Sequence, residues 1–146
     1  MGKLALVAKT THVPSIYLSE LDGPRKGTRQ DAIDGHREIG RRCRELGVDT
    51  IVVFDTHWLV NANYHVNCAP HFKGRYTSNE LPHFISNLPF EFSGNPALGK
   101  ILAKGCNDAG VETLAHDATT LNPEYGTLVP MRYMNADQHF KVVSVS

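Results

Sequence analysis

Two histidines occupy comparable places in the chain. His12 follows the apolar run KLALVA at 3–8, and His57 stands inside FDTHWL at 54–59, directly beyond the β-branched run of DTIVVFD. Imidazole is the commonest protein ligand for metals, and two of them at the ends of neighbouring strands can share one ion. Asp55 can orient His57 or the loop backbone, as carboxylates near metal-binding histidines do; the commoner role of an Asp at a strand end is to close an Asx turn. Trp58 can line an aromatic pocket or simply cover the sheet edge. Among the other histidines, His116 after VETLA lies at a strand's end and is the best further candidate to line a site. His36 falls on an apolar helix face, as a hydrogen-bonded core histidine does, and His139 reads as a surface residue. His65, His71 and His83 belong to an irregular region that can face a pocket.

The elements that must position these residues follow from hydrophobic pattern. KLALVA suits a short buried strand. After a loop rich in Pro, Gly and charge, Ile33, His36, Ile39, Cys43 and Leu46 recur every three or four residues, with Thr28 as a candidate cap and Gly47 at the end. A helix is expected at about 29–46. DTIVVFD reads as a strand buried on both faces of a parallel sheet, YHVNC at 64–68 as a further strand, and 89–92 as one more within a long irregular stretch. Asn95-Pro96 marks a helix start that Gly110 ends. VETLAHD is a strand, a short helix begins near Gly126 or Pro130, and FKVVSVS closes the chain as a strand.

Alternating strands and helices imply an α/β fold with a mainly parallel central sheet and flanking helices, as one domain over 1–146. Two strands joined by a single helical crossover are parallel neighbours, so His12 and His57 should open on one sheet edge, where α/β folds bind ligands. The last strand has no crossover element after it to cover it. It is expected either at a sheet edge or as part of a larger α/β domain of which this chain is an incomplete half.

Composition excludes several classes. Lys plus Arg and Asp plus Glu number 15 each and the pI is near 7.1, so no basic surface for nucleic acid or anionic membranes is expected. No stretch approaches the roughly 20 apolar residues of a membrane span, and the N-terminus has no signal-peptide core; a cytoplasmic location is expected. Cys43, Cys68 and Cys106 are odd in number and lack a C-x-x-C pair, as expected of reduced structural thiols. Dinucleotide, Walker, nucleophile-elbow and H-E-x-x-H motifs do not occur. Metal chemistry leads.

Three stretches in order, THVPS at 11–15, VFDTHW at 53–58 and EYGTLVPMRYM at 124–134, resemble the class III extradiol ring-cleaving dioxygenases, nearest those that act on 3,4-dihydroxyphenylacetate. The resemblance implies a mononuclear non-haem Fe(II) held by two histidines and a glutamate. His12 and His57 match the histidines. A catechol and O2 are the implied substrates, a ring-opened semialdehyde the product, and a homo-oligomer the implied assembly. The same resemblance places the glutamate and an acid-base histidine in a half of the family chain that residues 1–146 do not match, so this chain is expected to bind iron weakly and turn over little catechol by itself. Where many relatives have His within EYGTLVP this chain has Tyr125, whose phenol can contact substrate oxygens. Arg132, Arg75 or Lys73 can meet a substrate carboxylate. Two other classes remain open: a divalent-metal hydrolase adding Asp55, Asp117 or Glu124 to the histidines, and a non-catalytic half-fold binding module.

Overall fold

The computed structural model describes residues 2–146. Residues 2–13 run without regular structure into a six-residue helix, α1 (Ser15–Glu20), and a loop leads to α2 (Gln30–Glu45). There follow β1 (Thr50–Phe54), β2 (Tyr64–Asn67), β3 (His71–Tyr76), β4 (Leu88–Ser93), α3 (Pro96–Asp108), β5 (Thr113–His116), α4 (Tyr125–Met134) and β6 (Lys141–Val145).

The central sheet has the order β1-β6-β2-β5. β1 pairs with β6 in parallel, β2 with β5 in parallel, and β2 with β6 antiparallel. Two of three pairings are parallel, as the alternation of elements implies. Side chains alternate across such a sheet, and both faces are covered. Ile51, Val53 and Val142 pack beneath α1, α2 and α4 with Ile16, Ile33, Leu128 and Met131, while Val52, Val143 and Val145 pack with Leu98, Leu102 and Ala103 of α3. Val142 and Val143 are fully buried, each contributing about 1.5–3 kcal/mol.

The helices keep the expected limits within a residue or two. α2 buries Ile33, His36, Gly40 and Cys43, and Gly47 beyond it has φ 67°, the left-handed conformation in which glycine carries no Cβ penalty. Arg29 rather than Thr28 precedes α2, because the Thr28 hydroxyl is engaged by Arg25 O. The Asn95 side chain accepts from Leu98 N at 3.1 Å, with Pro96 as the first residue of α3.

Several expectations change. Residues 3–8 form no strand: Leu4 and Val7 are 82% and 80% exposed, because the segment pairs with no neighbour. β1 is consequently an edge strand, half-buried with Phe54 exposed, instead of one buried on both faces. Of the two alternatives for the last strand the sheet edge is excluded: β6 lies inside the sheet between β1 and β2, with α3 and α4, which precede it in sequence, as its cover. The irregular stretch contains a two-stranded antiparallel ribbon, β3 with β4, where one strand was expected, and α1 lies in what reads as loop. β3 (HFKGRY) does alternate, His71, Lys73 and Arg75 outward against Phe72, Gly74 and Tyr76 inward, but Gly74 has no side chain to mark the buried face, which weakens the strand signal.

Candidate metal centre

Although residues 3–8 are not a strand, His12 and His57 meet. Their Nε2 atoms are 2.9 Å apart and their ring centroids 4.9 Å apart. His57 is placed by the sheet: β1 ends at Phe54, Asp55 N donates to Val145 O at 2.7 Å, and the chain turns. His12 is placed by α2. The His36 ring, 2% exposed, spans the carbonyl oxygens of Ala32 (2.6 Å) and Thr11 (2.9 Å), fastening the residue before His12 to the helix. The core role expected of His36 thus also fixes one half of the pair.

Asp55 is 3% exposed and holds the turn. Its Oδ1 accepts from the backbone N–H of His57 at 2.9 Å, which is the Asx-turn arrangement, so it orients the loop rather than the ring. Its Oδ2 accepts from the Thr127 hydroxyl at 2.6 Å, and Thr127 Oγ1 lies 3.2 Å from Ser144 Oγ on β6. α4 therefore buttresses the turn through its first residues. Gly126 is necessary there because a Cβ would overlap Asp55 Oδ1.

The neighbouring Tyr125, buried at 4% exposure, lays its ring against His57 at a centroid distance of 3.9 Å and stands 6.1 Å from His12. Burial, with Glu80, Asp55 and Glu124 nearby, raises its pKa, so the phenol keeps its proton as a hydrogen-bond donor. Glu124 accepts from Tyr76 Oη at 2.6 Å. Each of the four residues Glu124 to Thr127 thus has a distinct task. Sequence reasoning singled out Tyr125 but not Gly126 or Thr127; their signal is the quoted motif itself, whose side-chain partners lie about 70 residues away in sequence.

Burial and then the adjacent His57 lower the pKa of His12, against a smaller opposite effect of Asp55. Its neutral form, the one that ligates metals, is favoured. Two imidazole nitrogens bound at right angles to one ion, each about 2.1 Å away, stand about 3.0 Å apart with ring centres about 4.6 Å apart. The His12–His57 spacing fits two adjacent positions of an octahedral ion. Among the described residues no three His, Cys, Asp or Glu side chains converge. Asp55 and Glu124 are engaged as described, and Asp117 is exposed beside Lys100 at 3.6 Å.

Trp58 and His116 belong to a second group. β5 runs antiparallel to β6 and β1 through its pairing with β2, so the carboxyl end of β5 lies at the opposite sheet edge from that of β1. His116 instead meets His65 on β2, and Trp58 stands edge-on to both rings. His71, His83 and His139 are exposed. The cations that could meet a substrate carboxylate are engaged: Arg132 binds Glu20 through Nε and Nη2, Lys73 binds Glu91 at 3.1 Å, and Arg75 reaches Asn87 O at 3.4 Å.

Residues 6–146 match the family model described as the catalytic LigB subunit of aromatic ring-opening dioxygenase. The chain belongs to this family. It is also 64% identical, over all 146 residues, to a 3,4-dihydroxyphenylacetate 2,3-dioxygenase of Escherichia coli, and spans 53% of that relative. The LigB match covers His12, Asp55, His57 and the whole of EYGTLVPMRYM. All three free cysteines are buried or partly so, with burial raising the pKa of Cys43 and Cys68, in keeping with structural thiols. No helix among the described residues is long and apolar enough to cross a membrane.

Proposed function

We propose that this chain carries the iron- and catechol-binding part of an extradiol dioxygenase acting on 3,4-dihydroxyphenylacetate, with His12 and His57 as two ligands of Fe(II). The observation that carries the reading is the pair itself: two imidazole nitrogens 2.9 Å apart, inside a LigB match, beside a buried tyrosine. When bound, the ion supplies a site at which catechol and O2 are held together and activated for cleavage of the ring beside the diol. The chain's own residues position and protect. Asp55 fixes the turn that presents His57, with Thr127 and Gly126 fixing Asp55. Tyr125 covers one face of the His57 ring and, its proton retained, offers a donor to a substrate oxygen. The identity of the relative supports the acetate-bearing catechol as substrate.

Two imidazoles without a carboxylate leave Fe(II) under-held and poorly charge-compensated. By itself the chain is therefore a weak iron binder with little turnover. The hydrolase reading lacks support from the geometry, because Asp55, Asp117 and Glu124 are each engaged elsewhere.

The test is anaerobic titration of the chain with Fe(II) and 3,4-dihydroxyphenylacetate, followed by air. Iron-dependent binding of the catechol should be lost in both His12→Ala and His57→Ala, with only slow formation of yellow semialdehyde in the unsubstituted chain. Binding that survives both substitutions overturns the assignment of the ligands. Product formed at an ordinary enzymatic rate overturns the conclusion that the site is under-held.

A further inference from the structure

We propose a second divalent-cation site in this chain, formed by His65 of β2 and His116 of β5 and flanked by Trp58. It takes an imidazole-preferring ion of the Zn2+, Ni2+ or Cu2+ class. His116 Nε2 lies 2.7 Å from His65 Nδ1, and the two ring centroids are 4.7 Å apart. Two imidazoles at right angles on one ion, the tetragonal arrangement of Ni2+ and Cu2+, have nitrogens about 3.0 Å and ring centres about 4.6 Å apart, so this pair meets the requirement about as closely as His12 and His57 do.

The pair is built rather than fortuitous. Its two residues sit on adjacent, parallel-paired strands, with Tyr64 opposite Thr113 and Asn67 opposite His116, so sheet register fixes the backbone on both sides. The backbone of His65 is further held by its own N–H to Ser146 Oγ (2.8 Å) and its O from Ser146 N (3.0 Å). The other ring nitrogen of His65, Nε2, lies 3.0 Å from Ala62 O. A carbonyl only accepts, so Nε2 carries the hydrogen and the lone pair of Nδ1 faces His116. Donation of the distal N–H to a backbone carbonyl is the usual support of a metal-binding imidazole. Both rings are half-buried, which leaves a path for an ion and room for water in its remaining positions. In the metal-free chain the same two nitrogens share one N–H···N hydrogen bond.

This site is independent of the iron reading and is tested without it. Trp58 is the only tryptophan, with its ring centroid 6.0 Å from that of His65 and 6.4 Å from that of His116, so a paramagnetic ion there quenches its emission. In the His12→Ala/His57→Ala chain, Ni2+ should quench Trp58 saturably at one ion per chain. Zn2+ should compete and EDTA should reverse the effect, while Mg2+, which prefers oxygen ligands, should do neither. Adding His116→Gln, whose amide still donates to His65 Nδ1, should weaken Ni2+ binding by about 10-fold or more. Calorimetry on the otherwise unsubstituted chain provides the check should the double variant not fold: His116→Gln should lower the number of bound Zn2+ ions by one. Absence of saturable quenching with His65 and His116 intact and the chain folded, or affinity unchanged by His116→Gln, overturns the proposal.

Discussion

The turn that presents His57 should depend on a hydroxyl that touches neither histidine. Thr127 is fully buried, and its Oγ1 donates to Asp55 Oδ2 at 2.6 Å. Thr127→Val keeps the shape of the side chain and removes the donor, so Asp55, 3% exposed, retains the His57 backbone N–H on its other oxygen and loses its side-chain partner. A hydrogen bond to a charged group is worth about 1.5–3 kcal/mol. For a domain of this size each kcal/mol moves Tm by about 2–4 °C, which gives a fall of about 3–12 °C. Thr127→Ser, which preserves the hydroxyl, should lose only the contribution of a methyl group, about 0.8 kcal/mol. Because Asp55 and Thr127 act as one unit, Asp55→Ala and Thr127→Val together should cost less than the sum of the two, by about 1 kcal/mol or more. Loosening the turn should also weaken ion binding at His12 and His57 by about 10- to 100-fold, the usual effect of losing a partner behind a ligand. Thermal unfolding followed by circular dichroism, together with anaerobic Fe(II) titration, reads both effects. If Thr127→Val leaves Tm within about 1 °C and the iron affinity intact, Asp55 does not need its side-chain partner and the reasoning from the hydrogen bond fails.

Two further outcomes follow from buried polar contacts away from the pair. His36→Gln should cost about 1–3 kcal/mol through loss of a buried bridge and should also lower Fe(II) affinity, since Thr11 O is released from α2 just before His12; unchanged affinity with reduced stability would show that His12 is placed by something else. Glu20 accepts from Arg132 and from Tyr133 Oη (3.0 Å), and the Arg132 hydrogen bond is the largest cause holding its folded pKa below the ordinary value. A lowered carboxylate pKa gives stability that is present above the unfolded pKa and disappears as pH falls through the folded one. The urea midpoint of the unsubstituted chain should therefore exceed that of Glu20→Gln at neutral pH, and the gap should narrow as pH falls below about 4.3; a constant gap through that range would contradict the role assigned to Arg132.

Sequence legibility varied with how local the deciding physics is. α2 and α3 could be read almost to the residue, because the Ile33–His36–Cys43 spacing and the Asn95-Pro96 start are signals carried within the helices themselves. The position of β6 could not, since whether a strand is central or at the edge depends on β1 and β2, neither of which follows it in the chain. The direction of β5, antiparallel to β1 and β6, was not legible for the same reason, nor was the edge at which His116 stands. The tasks of Gly126 and Thr127 are likewise visible only once Asp55 is beside them, whereas His12 and His57 stand out by residue type and by the stretches THVPS and VFDTHW that contain them.

The two histidines were expected to meet because two parallel strands would carry them, yet only one strand is present. β1 delivers His57 by sheet register, ending in a backbone bond from Asp55 to β6. His12 arrives by another route: residues 3–8 pair with nothing, and the chain is fastened at Thr11 by a ring from α2 and then enters α1, whose Ile16 is fully buried in the core. The spacing of the pair is therefore a distance between the sheet and α2, not a distance within the sheet. That makes it sensitive to packing between them, in which Ile33 and Ile39 of α2 join Ile51 and Val53 of β1 in one cluster. An ion bridging the pair ties the same two layers together, and any ligand that binds only the folded form stabilises it in proportion to the logarithm of its concentration over Kd. With the proposed ion on His12 and His57, metal affinity and the docking of α2 would be two readings of one free energy: a substitution that loosens α2 without touching either histidine should weaken ion binding, and the ion should in turn hold α2 in place.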